Sequence, residues 1–212
     1  MNAHKHRSGR TKTSAYLCVY LCVLLAASTA HSEETPRSAM RKGLKAYAAG
    51  DYTNAAAYFE KTALEFPDIG SYNLGVANYL MGDFEKAEDC FKEALRSTDL
   101  QLQSQAYFNR GNALLARTTT LPGKEQIGMA IECAFQAMDM YEKAIMLNPD
   151  DLAAKQNFER AQTLRLNLEF KLGKRYFDEA ETLLSQFKAK DARARYRQAR
   201  QQFEHILSDV DP

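Results

Sequence analysis

The chain has 212 residues, 45% apolar and 26% charged, with ten Gly, five Pro and no Trp. That is ordinary globular composition, which excludes a low-complexity chain and allows one or two domains. The formal charge is +1, and the 24 basic against 27 acidic residues that remain beyond position 30 exclude the basic footprint of a nucleic-acid binder.

Residues 1–30 read differently from the rest. His4, Lys5, His6, Arg7, Arg10 and Lys12 form a basic head, followed by the apolar run AYLCVYLCVLLAA (15–27) and by Ser28-Thr29-Ala30. This layout predicts a secretory signal peptide cleaved near Ala30, hence an exported, periplasmic chain. The apolar run is short for ~30 Å of hydrocarbon at ~1.5 Å per residue, although the same segment kept as an N-terminal anchor is the alternative. No lipobox surrounds Cys18 or Cys22. Beyond it, Cys90 and Cys133 remain. An oxidising compartment permits a disulfide, spacing does not establish one, and two unpaired helix-surface thiols is the preferred reading.

From residue 40 the chain repeats itself. GDY (50–52) and GDF (82–84) align at an offset of 32 residues, placing Ala55 over Ala87 and Phe59 over Phe91. Gly50 and Gly82 mark helix stops, and Asp51 and Asp83 are predicted N-caps of the helices that follow. The stretch 71–95 therefore predicts helix SYNLGVANYLM, a tight turn, and helix FEKAEDCFKEAL. A third unit begins at YFNRGNAL (107–114), where Phe-Asn-Arg-Gly repeats Tyr-Asn-Leu-Gly. About fourteen extra residues around ARTTTLPGKEQIGM separate its two halves. They either lengthen both helices or protrude, and Leu-Pro-Gly (121–123) favours a loop before a longer second helix.

After Pro149 a further helix begins, with Asn157 in register with Asn73 and Asn109. Leu164, Leu168 and Leu172 continue it at i, i+4 spacing as a long amphipathic cap. The last segment, from Asp178, predicts one or two more helices. Within it Lys188, Lys190, Arg193, Arg195, Arg197 and Arg200 form a basic patch. A solvated helix face is the plainer explanation, and a docking surface for an acidic partner or anionic headgroups the functional one.

No catalytic constellation is visible, and no enzyme activity is expected. Three of four His (His4, His6, His31) lie in or beside the leader, and His205 stands apart from both later Cys, so neither metal nor cofactor is expected. GKEQ (123–126) lacks the spacing of a phosphate loop, and no G-x-S-x-G elbow occurs. Asp150-Asp151 and Glu33-Glu34 are helix-entrance or tail carboxylates rather than an acid–base pair.

The repeating pattern resembles the tetratricopeptide repeat, a helix–turn–helix with Leu-Gly in its first helix and spaced Ala, aromatic, Ala and Pro after it. Leu74, Gly75, Ala87, Phe91 and Ala94 carry the likeness in the second unit. Gly43, Ala55, Phe59 and Pro67 carry it in the first, where Thr62 replaces the usual Ala. Tyr107, Gly111, Ala137, Tyr141, Ala144 and Pro149 carry it in the third. The resemblance implies an all-α solenoid of about three repeats over 31–150, with a capping helix and basic helical extension over 151–212. It further implies a concave groove lined by Met40, Arg41, Leu44, Tyr47, Tyr72, Asn73, Val76, Tyr79, Phe108, Asn109, Asn112 and Asn157. Asn amides there can both donate to and accept from an extended peptide backbone, with the aromatics adding contact area. The competing reading is that these Asn bond neighbouring helices. The complete Lys/Asn/Arg set of the carboxylate-clamp subfamily is missing.

Over 40–165, the order of the leader, the repeats and YEKAIMLNPDDLAAKQNFERA is similar to the exported tetratricopeptide proteins of bacterial aerotolerance (Bat) operons. That resemblance implies an adaptor beside membrane-anchored von Willebrand A-domain proteins and a MoxR-type ATPase. The leading expectation is thus a non-enzymatic envelope scaffold that binds a protein or extended peptide, with membrane contact only through an uncleaved leader or the basic helix. Alternatives are an envelope-assembly or cell-wall adaptor docking by that helix, and a self-associating solenoid.

Overall fold

The computed structural model describes residues 35–121 and 126–210, and the leader expected over 1–30 lies outside them. The described residues form eight helices: α1 (Pro36–Ala48), α2 (Tyr52–Ala63), α3 (Pro67–Leu80), α4 (Phe84–Ala94), α5 (Leu100–Thr120), α6 (Ile127–Leu147), α7 (Leu152–Ser185) and α8 (Ala189–Val210). Each helix packs chiefly on its neighbours in sequence, with slighter contacts of α3 with α5 and of α5 with α7. This is the contact pattern of a helical-hairpin solenoid.

The turns follow from local chemistry. Gly50 and Gly82 adopt φ of +77° and +82°, a conformation that costs an L side chain energy but not glycine. Asp51 then accepts from the Asn54 N–H at 3.1 Å, and Asp83 from the Lys86 N–H at 3.4 Å. Asp99 and Asp151 cap α5 and α7 in the same way. Each such cap is worth about 1 kcal/mol. The Asn54 amide and the Lys86 ammonium, each donating to the cap's other carboxylate oxygen at 2.6 Å, hold Asp51 and Asp83 below the usual carboxylate range, with the backbone N–H bonds adding to the effect.

Inside each hairpin a glycine on the first helix faces an aromatic ring on the second. A Cβ at Gly43 would stand 2.6 Å from Phe59, at Gly75 2.8 Å from Phe91, and at Gly111 2.7 Å from Tyr141. The missing side chains let the helices close, and the rings fill the space left, each burial worth about 2 kcal/mol. Ala55, Ala87 and Ala137, one turn before each ring, are fully buried. Thr62 is equally buried, and its hydroxyl is satisfied by donating to Tyr58 O at 3.0 Å, which lets it stand where Ala is usual.

The insertion in the third unit is largely helical. α5 runs through Arg117 to Thr120 and α6 begins at Ile127, each 21 residues long, so the extra chain lengthens both helices. α5 ends at Thr120, and its cap Leu121 turns to extended backbone (φ −66°, ψ 119°), the conformation a residue before proline favours. The long cap also turns out to be half of a hairpin: α7 ends at Ser185, the chain reverses through Phe187 at φ +62°, and α8 packs back along it.

Candidate interaction surface

The first helices of successive hairpins, α3, α5 and α7, enclose an open trough of about 890 Å³. Its walls include Tyr79 of α3, then Asn112, Leu115 and Thr119 of α5, then Asn157, Arg160, Leu164 and Asn167 of α7. Among the residues expected to line a groove, Tyr79, Asn112 and Asn157 reach this trough.

The remaining expected groove residues sit elsewhere on the first helices. Met40 packs on the core around Phe59 and Ala77, Val76 on the one around Phe91 and Ala113. Arg41, Leu44 and Tyr47 are exposed on α1, with the Tyr47 ring against Tyr52 at 5.7 Å. Tyr72 and Phe108 are half-buried, their rings tilted against Phe91 at 5.9 Å and Tyr141 at 6.0 Å. They belong as much to the core as to the surface.

The asparagines form a network that ties helices together. Asn109 Nδ2 donates to the Tyr72 hydroxyl at 2.9 Å, bridging α5 to α3. Asn112 Nδ2 donates to Asn109 Oδ1 at 3.3 Å. Asn112 Oδ1 in turn accepts from the Tyr141 hydroxyl at 2.8 Å and from Asn157 Nδ2 at 2.9 Å. Three helices therefore converge on one amide oxygen. Asn73 lies outside that network, donating to Ile69 O one turn back on its own helix at 2.8 Å and, weakly, to the Met40 sulfur of α1 at 3.8 Å. Burial pushes the Tyr72 phenol up despite Asn109, and pushes Tyr141 up further.

Arg160 and Asn167 were not among the residues singled out from sequence, and neither makes an ion pair or hydrogen bond with another described residue. They could have been found: Asn157, Arg160, Leu164 and Asn167 fall at i, i+3, i+7 and i+10, one stripe of a helix. Thr118, Thr119 and Thr163 also line the trough, but their hydroxyls donate to carbonyls of their own helices. The trough wall thus mixes apolar side chains with amides and hydroxyls, with Arg160 its one charge.

The basic patch is partly neutralised. Arg195 pairs with Glu179 at 3.0 Å and stacks over Tyr176, and Arg200 pairs with Glu204 at 3.3 Å. Lys188 donates to Gln186, while Lys190, Arg193 and Arg197 point into solvent. Cys90 and Cys133 are both free thiols. Burial raises both above the ordinary thiol value, so neither is an activated nucleophile. No helix of the described residues is long and apolar enough to cross a membrane.

Residues 70–96 match the sequence model of the tetratricopeptide repeat. The fold is a tetratricopeptide-type solenoid. Among solved structures, the first tetratricopeptide domain of Spaghetti (RPAP3), bound to the HSP90 peptide SRMEEVD, is 20% identical with a TM-score of 0.50, covering 61% of this chain and 92% of that one. MamA is 14% identical with a TM-score of 0.48 over 96% of this chain and 99% of its own. A thermophilic tetratricopeptide protein of Thermus thermophilus is 22% identical with a TM-score of 0.47, over 82% of this chain and 94% of its own. No curated protein is significantly similar in sequence.

Proposed function

We propose that this tetratricopeptide solenoid is a non-catalytic scaffold that holds an extended segment of a partner protein in the trough between α3, α5 and α7. The observation that carries the reading is the trough itself. Its volume of about 890 Å³ is in the range of ligand clefts, and its lining combines apolar Leu115 and Leu164 with amide, phenol and guanidinium groups. A domain of the same fold holds an HSP90 peptide, which supports a peptide as occupant. Arg160 and Asn167 offer donors to backbone carbonyls or to one carboxylate of the segment. The asparagine network behind them fixes the helices that form the walls, so the trough is preformed and little ordering opposes binding.

The setting we propose is the bacterial envelope, on the basic head, apolar run and small residues of 1–30 and on the likeness to aerotolerance-operon proteins. Partners there would be von Willebrand A-domain proteins and the MoxR-type ATPase complex. Photo-crosslinking tests the reading: a benzoylphenylalanine at Asn167, inside the trough, should capture a defined partner. One at Leu64, 85% exposed on α2's C-cap, should not. Capture of the same partner from both positions, or from Leu64 alone, rejects it.

A further inference from the structure

The α7–α8 hairpin holds a charge cluster distinct from the trough. Arg165 and Glu169, one turn apart on α7, are 7% and 4% exposed. Arg165 Nη1 donates to Glu169 Oε1 at 2.9 Å, and Nη2 donates to Asp209 Oδ2 on α8. Glu169 Oε2 is buried with no hydrogen-bond partner. An orphaned carboxylate oxygen in such a place calls for a cation. The nearest group is His205, one turn before Asp209, whose Nδ1 stands 3.4 Å from Oε2.

That separation is informative. A charge-assisted hydrogen bond would close to about 2.7–2.9 Å. Two ligands on a tetrahedral ion, each bonded at about 2.0–2.1 Å, stand about 3.3–3.4 Å apart. One ligand atom each from Glu169, His205 and Asp209 can be chosen so that all lie within 4.8 Å of one another. They border a cavity of about 530 Å³ walled by Ile131, Glu132, Phe135 and Met138 of α6 and Gln162 of α7, open enough to supply a water as fourth ligand.

We propose that Glu169, His205 and Asp209 bind one divalent transition-metal ion of the zinc class, clamping α7 to α8. An imidazole with two carboxylates suits such an ion better than calcium, which takes oxygen ligands alone. Arg165 is the positioning residue. It holds Glu169 Oε1 and Asp209 Oδ2, which turns Oε2 and the second Asp209 oxygen toward the ion, the outer-shell arrangement that fixes ligating carboxylates. The charges close: Glu132, Glu169 and Asp209 against Arg165 leave −2, which a dication neutralises. Counting Cys and His alone hides the site, because two of its three ligands are carboxylates brought together by the hairpin.

The test uses the full chain with His4, His6 and His31 changed to Ala, so that only His205 remains, stripped by chelator and titrated with Zn²⁺ and Co²⁺. One equivalent should bind, and Co²⁺ should give four-coordinate visible bands without a thiolate charge-transfer band. His205→Ala and Asp209→Asn, both at exposed positions, should each weaken Zn²⁺ binding about a hundredfold or more while helical circular dichroism stays unchanged. The proposal is overturned if no saturable one-to-one binding occurs, if His205→Ala binds as the parent does, or if the Co²⁺ spectrum shows thiolate ligation.

Discussion

Gly173 meets Phe203 as Gly75 meets Phe91: in each case a Cβ on the glycine would come within 2.8 Å of the ring's Cε1. The likeness extends along both helices. Leu172 precedes Gly173 as Leu74 precedes Gly75, and Ala199 lies one turn before Phe203 as Ala87 does before Phe91. Sixteen residues separate glycine from ring in the first two hairpins and thirty in the last two. In the α7–α8 hairpin the added fourteen divide into about two turns on each helix, which returns the same faces to each other. The C-terminal segment is therefore a fourth hairpin of the same design.

Gly173→Ala tests that assignment. Forcing a methyl against Phe203 should cost about 1–3 kcal/mol, or roughly 2–4 °C in Tm per kcal/mol for a chain of this size. Gly75→Ala should cost more, because Phe91 is 1% exposed and cannot swing out. Thermal unfolding followed by circular dichroism decides. A Gly173→Ala protein as stable as the parent, beside a weakened Gly75→Ala, would show that α8 does not lean on α7 in this way.

The same comparison explains what was legible in the sequence. Gly-Asp turns, Ala-x-x-x-aromatic spacing and the capping Asp residues are local signals, and α1 to α4 follow them closely. The fourth hairpin escaped because its signal is split. Asn157 restarts the first-helix pattern in register, while the glycine that contacts a ring comes sixteen residues later, at Gly173. Of the expected groove residues only Tyr79, Asn112 and Asn157 line the trough, for a related reason. Repeat positions told which helix turns face inward, but which asparagines bond one another depends on interhelical distances that no spacing records.

Tyr141 makes stability sensitive to alkali. Burial raises its phenol well above the ordinary value of 10.0, so the folded state favours the protonated form. Its contribution is fully present below pH 10, where both states are neutral. It is lost as pH rises past 10, because the unfolded chain ionises first. Tyr141→Phe keeps the ring against Gly111 and removes the titration. The variant should lose about 1 kcal/mol at pH 7 through the missing bond to Asn112, yet fall less steeply between pH 10 and 11.5. Urea midpoints across that range give the measurement, and parallel slopes would refute the account.

Glu88 should matter more than an ordinary surface acid. It receives Arg110 at 3.2 Å and Arg117 at 2.6 Å, and its side chain is only 14% exposed. Glu88→Gln leaves two half-buried guanidinium groups of α5 without the α4 carboxylate between them, with Arg110 Nε already lacking a partner. We expect a loss of about 2 kcal/mol in urea unfolding, between the values for exposed and buried pairs. Arg117→Met should recover part of it when combined with Glu88→Gln, since one uncompensated charge is then removed. Strict additivity of the two changes would mean the ion pair contributes nothing.

The asparagine network and the trough surface can be separated by what each substitution disturbs. Asn112→Ala removes the acceptor of both Tyr141 and Asn157 and the donor to Asn109, leaving a buried hydroxyl unmatched. It should cost about 1–3 kcal/mol. Asn73→Ala breaks a bond back to its own helix at Ile69 and a long, weak contact with the Met40 sulfur on α1, and should stay within about 0.5 kcal/mol of the parent. Arg160→Glu and Asn167→Ala change the trough wall with no hydrogen bond between described residues to lose, so their stability should also be unchanged within about 0.5 kcal/mol. Their effect should fall on partner capture, with Arg160→Glu the stronger because it reverses the one charge in the wall. If Arg160→Glu and Asn167→Ala both leave capture intact, and only destabilised variants such as Asn112→Ala reduce it, then the trough is a packing seam between hairpins and the partner binds another face.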